Sequence, residues 1–276
     1  MNKNAVWLLA FVCAFLFSCS SDDFDAGNQK DGMVDFTIST SIPQGIKTYA
    51  TSDPNSGNGG ATNVKDHALR YILEVWTKED SPRLAYRDYQ IVKGDFANEG
   101  VTFSARLLAL EYYFVFWADF VATSTTDANA ASADLYYKTN NGETVDEIKA
   151  NSRSYSGLTA IEIIPENYGV SNDARDAFYA MKVFNLRTHK NAIESVTLTR
   201  PFGKYRLVAT DAPEDYLTEK PVKALITYTG ASVTLPGGFD ALHGEVTDRV
   251  INVTSLQHND VTQEDVTIIN ALSFCV

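Results

Sequence analysis

The chain has 276 residues, 45% of them apolar and 12% aromatic, enough to bury a sizeable core. Its formal charge of -12 and pI near 4.7 exclude a nucleic-acid backbone as partner, because that needs clustered Lys and Arg. Acidity of this kind keeps an exposed protein soluble and leaves the fold open.

Met1-Asn2-Lys3-Asn4 precedes the apolar run Ala5 to Phe17, which ends at Ser18-Cys19. A short positive start, an apolar stretch and a small residue before a cysteine predict a secretory signal with a lipoprotein cleavage site over residues 1–18. The run is shorter than the about 20 apolar residues of a bilayer-spanning helix, which argues against a permanent membrane helix. Cleavage before Cys19 leaves its thiol to carry a diacylglycerol and its amino group a further acyl chain. Several chains together hold a protein on a membrane where one holds it only marginally. Residues 19–32 are polar and poor in large apolar side chains, the composition of a flexible lipidated tether. The acidic pair Asp22-Asp23 behind Cys19 resembles the surface-export signal of Bacteroidetes lipoproteins, which implies an outward-facing protein on the outer membrane. With Cys13 in the leader and Cys19 acylated, Cys275 is the remaining thiol and no intramolecular disulfide is expected.

From residue 34 onward the pattern alternates with period two, the signature of strands with one buried face. In Val34 to Ile42 the apolar Val34, Phe36, Ile38 and Ile42 alternate with Asp35, Thr37, Ser39 and Ser41, which predicts a nine-residue strand. Leu69 to Val75, Leu84 to Val92, Val101 to Leu107 and Glu111 to Asp119 follow, the last with Tyr112, Phe114, Phe116 and Ala118 in one row. Tyr113, Val115 and Trp117 form the opposite row, which is expected to be covered by a further layer. Later strand candidates are Ala133 to Lys138, Ala160 to Ile164, Phe178 to Phe184, Ser195 to Arg200, Tyr205 to Ala209, Lys223 to Thr229, Arg249 to Thr254 and Val261 to Ile269. Asp53 to Gly60, Ala122 to Ser132 and Leu235-Pro236-Gly237-Gly238-Phe239 read as turns or loops. Helix signals are confined to Thr144 to Ala150 and Asp211 to Glu219. Many short strands joined by such turns predict an all-β protein of two antiparallel β-sandwich domains. The first covers 33–210 and the second 211–276; the apolar ending Asn270 to Val276 reads as an incomplete second domain.

No residue cluster carries obvious chemistry. His67, His189, His243 and His258 lie far apart and outside any paired ligand spacing. Asp173 and Asp176 flank Arg175, and Lys78-Glu79-Asp80 is a charged turn, but glycosidase carboxylates must oppose each other across a cleft. Asp53, Asn55 and Asn58 miss the calcium-loop pattern and lack a closing Glu. Neither a phosphate-binding glycine loop nor a nucleophile elbow is present. No catalytic residue, metal or cofactor is therefore expected.

Val115-Phe116-Trp117-Ala118-Asp119, Arg175-Asp176-Ala177-Phe178 and Leu198-Thr199-Arg200-Pro201-Phe202, continuing through Lys204 to Leu207, occur in this order behind the lipobox and the alternating first strand. Together they resemble fimbrillin-like (type V pilus) lipoproteins of the Bacteroidetes over residues 32 to 230. The resemblance implies two transthyretin-like β-sandwich domains. It also implies a surface protease that cuts after a basic residue beyond the first strand, and a donor strand from the next subunit that fills the vacated groove. On this sequence the removable strand is Val34, Phe36, Ile38 and Ile42 with their neighbours, and the processing site is Lys47. Relatives carry Thr-Arg-Ala where this chain has Ile46-Lys47-Thr48-Tyr49-Ala50, so an Arg-specific protease would not accept it. The expected partners are other pilus subunits, with the outer membrane bound through Cys19. The expected function is that of a pilus subunit, accessory or anchor in adhesion. A surface glycan-binding lipoprotein of a polysaccharide-uptake system is the alternative; it requires exposed sugar-stacking aromatics, and outside the leader only Trp76 and Trp117 are tryptophans.

Overall fold

The computed structural model describes residues 32–43, 64–94, 96, 100–139, 157–164, 173–188, 193–205, 224–226, 235–247, 250–251, 256–258 and 270–274. The first five strands are β1 (Met33–Ser41), β2 (His67–Thr77), β3 (Leu84–Val92), β4 (Val101–Leu108) and β5 (Glu111–Ala122). Then come β6 (Tyr137–Lys138), β7 (Ile161–Ile163), β8 (Ala177–Asn185) and β9 (Ile193–Thr197). The remainder are short: β10 (Phe202–Tyr205), β11 (Ala224–Ile226), β12 (Leu235–Pro236), β13 (Gly238–Asp240), β14 (Glu245–Val246), β15 (Val250–Ile251), β16 (Leu256–His258) and β17 (Asn270–Phe274). The chain is all-β in a sandwich-type arrangement, with helix limited to short 3-10 turns among the described residues.

The sheets stack in three layers. The middle sheet runs β3-β2-β5-β8, every neighbouring pair antiparallel. One face meets the sheet β4-β1-β9, where Phe36 lies edge-on to Phe114 at 4.9 Å. The other face meets the sheet β14-β13-β7-β6, where Trp117 contacts Tyr137 at 5.4 Å and Phe239 at 6.2 Å. The row Tyr113, Val115, Trp117 is thus covered as its sequence predicts, with Val115 and Trp117 fully buried. Double coverage also explains why β2 is buried continuously from Ala68 to Trp76: on a strand packed from both sides neither row faces water.

That double burial forces charged side chains of β2 and β5 into pairs. The Arg70 guanidinium forks onto Asp119 (2.9 and 2.7 Å), and its other arm donates to Asp134 (2.8 Å) and to the Ala130 carbonyl (2.9 Å). Burial works against the Arg70 charge, yet Asp119 and Asp134 outweigh it and hold its pKa above the ordinary arginine value. Glu74 accepts from the Trp76 indole (2.9 Å) and the Leu158 amide (3.1 Å) and is paired with Arg87. These bonds tie the 3-10 segments Asp127–Ser132 and Gly157–Ala160 to the middle sheet.

Several elements depart from the sequence expectation. Ala122 to Ser132 is not wholly loop, since Asp127–Ser132 winds into a 3-10 helix. Ala133 to Lys138 yields only the two-residue β6. Leu235 to Phe239, expected as a turn, supplies β12 and β13. Gly238 is there for close packing rather than turning, because a Cβ at that position would lie 2.9 Å from the Ile161 carbonyl of β7. β13 pairs with β7 through Gly238↔Glu162 and Phe239↔Ile161, so part of segment 211–276 lies in the same sheet as strands of segment 33–210. The boundary near Asp211 and the helix candidates lie outside the described residues.

Removing Asp119 breaks the fork and leaves the buried Arg70 charge with Asp134 alone to balance it. Asp119→Asn is expected to lower stability by about 3–5 kcal/mol, read as a lower urea midpoint at unchanged slope. The exposed pair Arg83–Glu79 serves as control: Glu79→Gln should leave the midpoint within scatter.

Candidate functional site

The feature that the fold isolates is the slot occupied by β1. Its inward row Val34, Phe36, Ile38 and Ile42 is buried while Asp35 is exposed and Thr37, Ser39 and Ser41 are half-buried, as period-two alternation requires. All four candidate residues therefore sit on one face. Phe36 is the wedge, edge-on to Phe114 and also to Tyr86 at 6.4 Å, and Phe114 continues the stack to Phe184 at 5.0 Å. A narrow apolar cleft beside it is lined by Phe36, Ile38, Phe114, Phe184 and Leu186. Each such side chain contributes about 1.5–3 kcal/mol on full burial, so a vacated slot would be strongly unfavourable in water.

β1 lies between two strands of opposite sense. It is parallel to β9, in the register Thr37↔Ile193 through Ser41↔Thr197. Against β4 the side-chain pairs Asp35/Arg106, Thr37/Ser104 and Ser39/Thr102 advance along one strand as they retreat along the other, so that pair is antiparallel. The β1–β9 pair thus departs from a wholly antiparallel sandwich. Beyond β4, the Gln90 amide donates to the Thr102 carbonyl (2.6 Å) and the Tyr86 hydroxyl to the Ser104 carbonyl (3.4 Å), so β3 side chains cap that edge.

Two polar contacts and one close backbone approach cluster where β1 ends. Thr40, 2% exposed, faces inward between Ile38 and Ile42, and its hydroxyl donates to the Val196 carbonyl at 3.1 Å. The Ile42 amide donates to the Tyr71 hydroxyl at 3.3 Å. Burial pushes the Tyr71 phenol up to about 12, with the Ile42 bond opposing, so it is neutral at physiological pH. Gly100 passes so close that a Cβ there would lie 2.7 Å from the Thr40 carbonyl oxygen. Sequence reasoning missed Tyr71 and Gly100, whose roles depend on distant chain segments. Thr40 left a visible trace: it is the one gap in an otherwise apolar inward row.

The other sequence candidates do not converge. Cys19, Lys47, Asp53, Asn55, Asn58 and His189 lie outside the described residues. His67 Nε2 is 3.2 Å from the Tyr136 hydroxyl, and His243 pairs with Asp240 on the surface. Asp176 accepts three hydrogen bonds from the Arg200 guanidinium rather than facing another carboxylate. Lys78 pairs with Glu111. Trp76 and Trp117 are 4% and 0% exposed, so neither offers a ring to a sugar. Among the described residues there is no group of three or more His, Cys, Asp or Glu placed to hold a metal, and no helix long and apolar enough to cross a membrane.

Fold and slot together define an all-β protein whose first described strand is seated at the centre of an outer sheet. The chain belongs to the family of unknown function DUF6562, whose model matches residues 28–271. A crystal structure from Bacteroides thetaiotaomicron VPI-5482, of candidate polysaccharide-binding proteins (DUF1812), is similar at a TM-score of 0.47 and 12% identity, covering 86% of this chain and 71% of that chain. No curated protein matches the sequence.

The slot makes its own test. A Gly→Ala change at a compatible backbone angle ordinarily stabilises by about 0.4–1 kcal/mol through the unfolded state. Gly100→Ala should instead destabilise and speed hydrogen exchange across residues 38–42, because Thr40 has to move. Phe36→Ala should cost about 3–5 kcal/mol in the same measurement.

Proposed function

We propose that this chain is a fimbrillin-like surface lipoprotein that acts in assembly or adhesion by β-strand addition, as a pilus subunit or as an accessory or anchor. The observation that carries the reading is the seat of β1: an N-terminal strand, flanked by β4 and β9, whose Val34, Phe36, Ile38 and Ile42 are core residues. Loss of that strand would bare a row of apolar pockets and two strand edges at once, the surface that an extended partner segment completes. The β4 edge is otherwise capped by β3 side chains, which makes the slot the favoured place for addition. The aromatic platform of the glycan-binding alternative has no counterpart at Trp76 or Trp117, both of them core residues.

In this reading Cys19 moors the unprocessed protein to the outer membrane, and cleavage after Lys47 frees the body together with an empty slot. If Lys47 is never cut, Cys19 is a permanent anchor and the chain serves as a base. Treating leaderless protein with a low dose of a trypsin-like protease is expected to give ladders on a non-denaturing gel. Protein that stays monomeric after losing residues through Lys47 removes the strand-exchange reading. For the mooring, Cys19→Ala should shift the protein from the membrane fraction to the soluble one in expressing cells. An unchanged membrane fraction would overturn that assignment.

A further inference from the structure

We propose that the β1 slot reads its occupant by polar chemistry as well as by apolar fit. Its partner is an extended polypeptide segment with the pattern apolar-x-aromatic-x-apolar-x-Ser/Thr-x-apolar, laid parallel to β9. The proposal rests on the strand-addition reading and identifies the partner that this same site takes.

β1 is the strand seated in the slot, so its contacts report what the slot accepts. Four of its five inward positions are met by apolar surroundings, and position 40 is not. There Val196 presents a carbonyl oxygen 3.1 Å from the Thr40 hydroxyl, inside a region where Thr40 is 2% exposed. The same carbonyl also belongs to the β1–β9 ladder, so the hydroxyl fills its second acceptor site; a same-shaped Val forfeits that hydrogen bond and sets a methyl against the oxygen. Two residues on, the buried Tyr71 hydroxyl takes the amide hydrogen of Ile42, a demand that any residue with a backbone N–H satisfies and proline does not.

These points also set register. Slipping the occupant by one residue turns its apolar row to solvent. A slip by two residues keeps the faces but carries an Ile side chain to the Val196 carbonyl, moves the hydroxyl into an apolar pocket, and takes the aromatic ring out from between Tyr86 and Phe114. The ring marks one half of the slot and the hydroxyl the other, so the two together admit a single alignment. Gly100 keeps the occupant's backbone close at the hydroxyl end, since any side chain there would strike the oxygen of residue 40.

The experiment uses the full chain with a specific protease site placed at Lys47 and cut after folding, so that β1 is held without a covalent link. Fluorescent peptides spanning residues 33–44, with Thr, Ser or Val at position 40, then compete for the slot. The Thr and Ser peptides should exchange in, and the Val peptide should bind about tenfold more weakly despite its greater apolarity. Val binding equal to or tighter than Thr overturns the hydroxyl selection while leaving strand addition intact. Failure of every peptide, the native sequence included, overturns strand addition and the selection with it. In the uncut chain, Thr40→Val should speed hydrogen exchange over residues 38–42 while Thr40→Ser does not; identical protection in both also overturns the selection.

Discussion

The middle sheet β3-β2-β5-β8 is covered on both faces, and most of the molecule follows from that. A strand buried on both sides has no solvent row, so Arg70, Glu74 and Asp119 must find partners inside. Burial pushes the Asp119 carboxyl up while Arg70 opposes it. The bonds that satisfy these groups reach to Ala130, Asp134 and Leu158, segments remote in sequence, and thereby hold the third layer in place. Replacing such pairs with apolar side chains often stabilises a protein, so their value here lies in dictating which segment covers which strand.

β1 is held by different physics. It has no buried ion pair; it is retained by its apolar row, by ladders to β4 and β9, and by polar contacts at residues 40 and 42. Its outward hydroxyls reach across to β4, Thr37 to Ser104 at 3.2 Å and Ser39 to Thr102 at 2.9 Å, and these exposed contacts contribute little. A strand secured mainly by shape and alternation is one that another strand of the same pattern can replace. The charge-tied layers are not replaceable in that way, because each of their pairs is particular to its partner. The body is thus tied by specific pairs and β1 by shape, and the proposed strand addition rests on that division.

Much of this was legible in the sequence. The row Val34, Phe36, Ile38, Ile42 and the strands through β5, together with β8, appear in the structure within a few residues of where alternation puts them. Alternation is a local property, decided by which face each residue presents, and it survives any rearrangement of neighbours. Leu235 to Phe239 misled because glycine and proline signal turns, whereas Gly238 serves a close approach to β7 that no local pattern encodes. Ala133 to Lys138 was overextended because its chain is drawn into side-chain bonds, with Asp134 bound to Arg70 and to the Thr139 amide.

By itself the sequence determined that the chain is all-β and that residues 34–42 carry one apolar face, since both are written in composition or short-range period. Only the tertiary structure decided which strands flank β1, that β9 runs parallel to it, and that the Thr40 hydroxyl meets a carbonyl 156 positions away. Pairing direction and the satisfaction of buried polar atoms are properties of contacts between distant segments, and no local window of the chain contains them.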